Sequence, residues 1–109
     1  MITTHVLDTS RGKPAANVGI KLEMRNGDAW REIGRGATDQ DGRCKTLTSA
    51  PIQAGVYRLS FDTDSYFRER DVEAFFPETV IIFAVDDPEQ HYHVPLLVSP
   101  FGYSTYRGS

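Results

Sequence analysis

Most of the chain is written in short runs where apolar and polar residues alternate, cut by Gly, Pro, Asn and Asp. Val18, Ile20, Leu22 and Met24 fall on one side; Gly19, Lys21, Glu23 and Arg25 fall on the other. A period of two puts successive side chains on opposite faces of a strand, so this segment is expected to be half buried against a core. Asn26-Gly27-Asp28 has the composition of a tight hairpin turn. It predicts a partner strand from Ala29 to about Thr38, ended by Asp39-Gln40-Asp41-Gly42. Tyr57, Leu59 and Phe61 give the inward face of another strand. Near the start, Thr4 and Val6 share one face, and Thr3, His5 and Leu7 the other. Thr79 to Val85 is almost wholly apolar, which predicts a strand covered on both faces, stopped by Asp86-Asp87-Pro88. Tyr92, Val94, Leu96 and Val98 alternate again, and Tyr103 to Tyr106 forms a last short strand. Pro95 lies inside that pattern, and a proline cannot donate to a strand ladder, so a distortion or an unpaired position is expected there.

One segment departs from period two. Thr63 or Asp64 is placed to cap a short helix that begins Ser65-Tyr66-Phe67 and fades before Pro77. About eight short strands and one short helix predict an all-β fold, a two-sheet antiparallel sandwich. A length of 109 residues suits one domain, spanning 1–109, and no repeat or linker divides it.

Charge and composition narrow the partners. The net charge of -3 argues against a nucleic-acid-binding surface. No stretch is long and apolar enough to span a membrane. Met1-Ile2-Thr3-Thr4-His5 lacks the basic start and apolar run of a secretory signal, which leaves a cytoplasmic protein as the expectation. The one cysteine, Cys44, has no internal partner and reads as a small buried hydrophobe.

Candidate chemistry lies on the faces turned away from the core. His5 is on the outer side of the first strand; His93, with His91, Pro95 and Leu97, is on the outer side of the Tyr92–Val98 strand. Arg43 follows the turn glycine Gly42. A monomer would fill such a face with mixed charges. Imidazole, proline and leucine there suit a surface covered by another subunit. Structural zinc usually takes four ligands rich in cysteine, and three histidines with one unplaced cysteine make a poor set, so no metal is expected; no cofactor is expected either. Tyr66, Phe67, Phe75 and Phe76 read as packing around the helix, and Asp86-Asp87 as a turn.

Four segments, in order along the chain, carry a resemblance. They are Thr3-Thr4-His5-Val6-Leu7-Asp8-Thr9 with Arg11-Gly12-Lys13-Pro14-Ala15; Thr38-Asp39-Gln40-Asp41-Gly42-Arg43-Cys44; His91-Tyr92-His93-Val94-Pro95-Leu96-Leu97 with Ser99-Pro100; and Tyr106-Arg107-Gly108-Ser109. Together they resemble the signatures of the transthyretin-like family, on its 5-hydroxyisourate hydrolase branch. Val98 and Phe101 stand where leucine and tryptophan are common, an apolar-for-apolar departure. The resemblance implies a transthyretin-like β-sandwich that hydrolyses 5-hydroxyisourate in urate breakdown. It also implies a homotetramer, a dimer of dimers, with sites in channels between the dimers. Residue by residue, it implies catalytic roles for His5, Arg43, His93 and Ser109, and a substrate-binding role for Tyr106, Arg107 and Gly108. The hormone-carrier branch lacks the Tyr-Arg-Gly-Ser ending.

These residue types suit such a reaction on physical grounds. Hydrolysis of a planar, polar lactam needs an activated water, charge stabilisation on the carbonyl oxygen and a proton for the departing nitrogen. Two histidines can divide base and acid duties near neutral pH, and the sequence leaves open which does which. Arginine presents a planar fork that matches a carbonyl or urea-like edge. A terminal serine adds a hydroxyl and a carboxylate. Gly108 is expected to let the chain turn sharply and bring Ser109 to the substrate. A carrier of small aromatic ligands and a generic interaction module are the other function classes a sandwich of this size could serve.

Overall fold

A computed structural model describes residues 1–109. In chain order the elements are β1 (Ile2–Asp8), β2 (Lys13–Pro14), β3 (Gly19–Asn26), β4 (Ala29–Ala37), β5 (Arg43–Cys44), β6 (Gly55–Phe61), α1 (Thr63–Arg68), β7 (Thr79–Val85), β8 (Tyr92–Ser99) and β9 (Gly102–Thr105). One sheet runs β2-β1-β8-β9 with β5 also on β1; the other runs β4-β3-β6-β7. Pairing is antiparallel throughout except between the adjacent central strands β1 and β8, which run parallel.

The alternation read in the sequence becomes the space between the sheets. Val6 and Leu96 from one sheet and Leu22, Leu59 and Phe61 from the other are fully buried, and Cys44 joins them in a single apolar cluster. Each such leucine or phenylalanine contributes about 1.5–3 kcal/mol by leaving water. The strand expected from Ala29 to Thr38 ends one residue earlier, and the last strand spans Gly102–Thr105, so Tyr106 lies beyond it.

Two expectations need correction. The helix is capped by Asp62, whose carboxylate accepts from the Ser65 backbone N–H at 3.2 Å and the Ser65 hydroxyl at 2.8 Å. Thr63 cannot serve, because its hydroxyl is buried against that of Thr79 at 3.1 Å. Asp64 lies inside the first turn, where its negative charge favours the helix dipole. Second, β7 is not covered on both faces. It is an edge strand, and Ile82 is 55% exposed in the isolated chain.

Pro95 interrupts the sheet in a specific way. Odd-numbered residues of β8 direct their backbone groups toward β9: the Thr105 hydroxyl donates to the Pro95 carbonyl, and the Gly108 N–H donates to the His93 carbonyl. The missing proline donor therefore faces β9. The ladder from Ser99–Gly102 to Leu96–Thr105 skips the Pro95 level and resumes in the same register at His93–Gly108. The C-terminal tail is thus the interrupted continuation of β9.

Candidate active site

Parallel pairing of β1 with β8 sets Thr3 beside His93, His5 beside Pro95 and Leu7 beside Leu97. Paired residues share a face, so the outward row of one strand joins the outward row of the other. On the far side of β1, β5 places Arg43 opposite His5. Side chains from positions 3, 5, 43 and 93 thereby meet on one sheet face.

The turn before β5 fixes Arg43. One carboxylate oxygen of Asp39 accepts from the backbone N–H groups of Asp41 and Arg43, each at 2.9 Å. The Arg43 N–H is the main reason the Asp39 carboxyl is held below the usual carboxylate range. Gly42 has φ +77, and a Cβ there would stand 2.4 Å from the Val6 carbonyl oxygen. Only glycine fits so close to β1 in that conformation.

The two site histidines are wired differently. His5 Nε2 lies 2.8 Å from the Asp41 carbonyl oxygen. A carbonyl only accepts, so Nε2 carries the proton and Nδ1 holds the lone pair of the neutral ring. His93 Nδ1 lies 2.8 Å from the Thr3 hydroxyl, and His91 Nε2 lies 2.7 Å from the same oxygen. His93 Nε2 has no hydrogen-bond partner within the chain. Burial, and then the charges of Arg43, His91 and His5, hold the His93 pKa below the ordinary imidazole value. The ring is therefore neutral at pH 7, the state a general base requires.

The tail closes the arrangement. A Cβ on Gly108 would lie 2.6 Å from His93 Cδ2 and 3.3 Å from Pro95 Cγ. Gly108 is required by this close approach rather than by a sharp turn, since its φ is outside the left-handed region. Ser109 then joins Thr3, Arg43, Lys45, His91 and His93 around a cavity of about 450 Å³. Tyr106 and Arg107 point elsewhere. The Arg107 guanidinium lies 4.4 Å over the Tyr92 ring and donates to Gln90 at 2.7 Å. Together with Tyr106 it borders a groove at the sandwich edge, beside Ile82 and Ala84. Cys44 faces the core, 3.8 Å from the Thr46 hydroxyl, and does not join the histidines.

Thr3 and Lys45 were not singled out in the sequence. That Thr3 shares a face with His5 was legible from their spacing. That it stands between two histidines follows only from the parallel pairing of strands nearly the whole chain apart.

The HIUase/Transthyretin family profile matches residues 2–108. The chain belongs to that family. It is 44% identical to the 5-hydroxyisourate hydrolase of Salmonella typhimurium over 110 residues, covering all of this chain and 81% of that protein. Among solved structures, the Klebsiella pneumoniae 5-hydroxyisourate hydrolase superposes with a TM-score of 0.88 at 35% identity, covering 99% of this chain and 98% of that one. Transthyretin from Sparus aurata superposes with a TM-score of 0.92 at 33% identity, covering 98% of this chain and 95% of that one. The shape is common to both branches of the family, so the choice between them rests on the residues of the cavity.

Proposed function

We propose that this chain hydrolyses 5-hydroxyisourate to 2-oxo-4-hydroxy-4-carboxy-5-ureidoimidazoline, a step of urate breakdown. The observation that carries the reading is one cavity bounded by a neutral imidazole, a guanidinium and a serine, with a second imidazole beside it. Apolar walls would suit a carrier; this lining is equipped for acid–base chemistry.

In the proposed mechanism His93 Nε2 takes a proton from the attacking water, because its depressed pKa keeps that lone pair free at neutral pH. Arg43 stabilises the negative charge that develops on the carbonyl oxygen. His5 acts as the acid in its protonated state: with its Nε2–H given to the Asp41 carbonyl, the imidazolium delivers its Nδ1 proton to the departing nitrogen and is left neutral. The Ser109 hydroxyl orients the substrate against these groups. Gly108 shapes the pocket by its contact with His93, and Tyr106 and Arg107 serve substrate binding as part of the same terminal tetrapeptide. The scheme uses no metal and no cofactor. Residues 1–109 act as one catalytic domain in a cytoplasmic homotetramer whose sites lie between its dimers.

The test is the decay of freshly generated 5-hydroxyisourate, followed by absorbance with and without protein. Accelerated decay that is lost in His93→Asn is the expected result, with a loss of about a hundred- to ten-thousand-fold. No acceleration, together with saturable binding of a small aromatic ligand, would replace the hydrolase with a carrier.

A further inference from the structure

We propose that Thr3 is a positioning residue that couples His91 to His93 as a proton relay, so that His91 stores the proton His93 takes from water. This inference rests on the hydrolytic reading above. Its starting point is that the hydroxyl oxygen of buried Thr3 stands 2.7 Å from His91 Nε2 and 2.8 Å from His93 Nδ1.

A hydroxyl has a single proton to give. If both rings are neutral and both contacts are hydrogen bonds, at least one ring must donate to the Thr3 oxygen. With His93 carrying its proton on Nδ1, that N–H donates to Thr3, Thr3 donates to His91 Nε2, and His91 holds its own proton on Nδ1. This arrangement leaves His93 Nε2 as the free lone pair, the state the mechanism needs. The opposite arrangement puts a proton on Nε2 and disables the base. The threonine thus sets which nitrogen of His93 is basic, and it does so according to the state of His91.

The same chain of bonds moves a proton without leaving a charge on His93. The water O–H bond breaks as its proton joins His93 Nε2. The Nδ1 proton of His93 passes to the Thr3 oxygen, and the Thr3 hydroxyl proton passes to His91 Nε2. Water loses one proton, His91 gains one, and Thr3 and His93 end neutral with His93 in its other tautomer. The reverse passage resets the ring and returns the proton for the product. His91 is the exposed member of the pair, so the positive charge ends where water solvates it. The charged and titratable groups around the relay are Arg43 and Lys45 from β5 and the residues after it, His5 from β1, the Met1 amino group and the Ser109 carboxylate. Arg43 opposes a positive charge held on His93. The lowered His93 pKa, caused in part by Arg43, His91 and His5, agrees with this.

A purely structural threonine would hold the ring in place but set no tautomer. Thr3→Val keeps the shape and removes the hydroxyl; Thr3→Ser restores it. Thr3→Val should lower kcat about ten-fold with little change in KM, less than the loss of the base itself, and Thr3→Ser should recover most of it. His91→Asn should cost about as much, and the Thr3→Val/His91→Asn double variant no more than either alone, because both break one path. Histidine nitrogen NMR on the intact protein reads the coupling without substrate. Neutral His93 should be protonated on Nδ1 in the wild type and shift toward Nε2 in Thr3→Val. An unchanged tautomer, additive rate losses, or full activity in Thr3→Val would each overturn the relay. A tautomer shift in Thr3→Val, found together with a wild-type protein that fails to hydrolyse 5-hydroxyisourate, would instead support the Thr3 coupling and overturn the substrate.

Discussion

Arg43 influences His93 in two ways that can be separated. Its guanidinium supplies a planar fork for a carbonyl oxygen, and its charge lowers the His93 pKa after burial has done the larger part. Protonated His93 cannot act as a base, so activity should fall as pH drops through the depressed pKa of that ring. Arg43→Gln removes the charge, raises the His93 pKa and should move the acid limb of the kcat/KM profile to higher pH. Arg43→Lys keeps the charge, so the limb should stay while the rate falls for want of the fork. A limb that stays in place in Arg43→Gln would show that the titrating group is not His93. At this scale the sequence was informative about residue identity: two histidines, one arginine and a serine were marked by position and family signature. Their wiring was not legible. The Asp41 carbonyl under His5 and the Thr3 hydroxyl under His93 come from chain segments far apart, and no local pattern announces such partners.

The strand β8 with its tail shows what an element can and cannot declare in advance. Period two marked its inner face correctly, with Tyr92, Val94, Leu96 and Val98 all buried. The expected break at Pro95 is present, and its consequence is the tail: the ladder lapses at Tyr106, then returns at Gly108 to lock onto His93. Gly108→Ala should therefore push the His93 ring aside or detach the tail, since the new Cβ would meet Cδ2 at 2.6 Å. The expected result is a loss of turnover of about ten-fold or more with a melting temperature close to wild type, because only a terminal pairing is strained. An Ala variant with wild-type rate would mean the tail does not need to lie against the ring during catalysis. Other features of the elements stayed hidden. The parallel β1–β8 pairing links segments whose alternation would equally suit an antiparallel partner. The cap passed to Asp62 because Thr63 is claimed by Thr79, a contact made only when the sandwich closes. The apolar run of β7 reads as a covered strand, yet its outer side is open in a single chain; a run of that kind does not distinguish its own sheet from a neighbouring subunit.

At the scale of the whole molecule, the isolated chain leaves apolar surface open in two places. One is the outer face of β1 and β8, where half-buried Leu7 and Leu97 flank the histidine row. The other is the edge of the sandwich, where Ile82 and Tyr106, 55% and 60% exposed, line one apolar groove. Two separate surfaces of this kind fit the proposed dimer of dimers, one surface for each type of contact. The edge offers unpaired strand backbone as well as apolar side chains, which suits the tighter contact within a dimer. The face bears the cavity, which suits the contact between dimers. Light scattering should accordingly report four chains for the wild type. Leu97→Glu puts a charge on the face without touching the core, and should release dimers that melt nearly as before yet turn over far more slowly. Ile82→Glu attacks the edge, and should lower both the assembly state and the melting temperature. If Leu97→Glu gives dimers of undiminished activity, each chain carries a complete site and the channel between dimers is not where catalysis occurs. If the wild type is itself a fully active monomer, the apolar outer face has some purpose other than assembly.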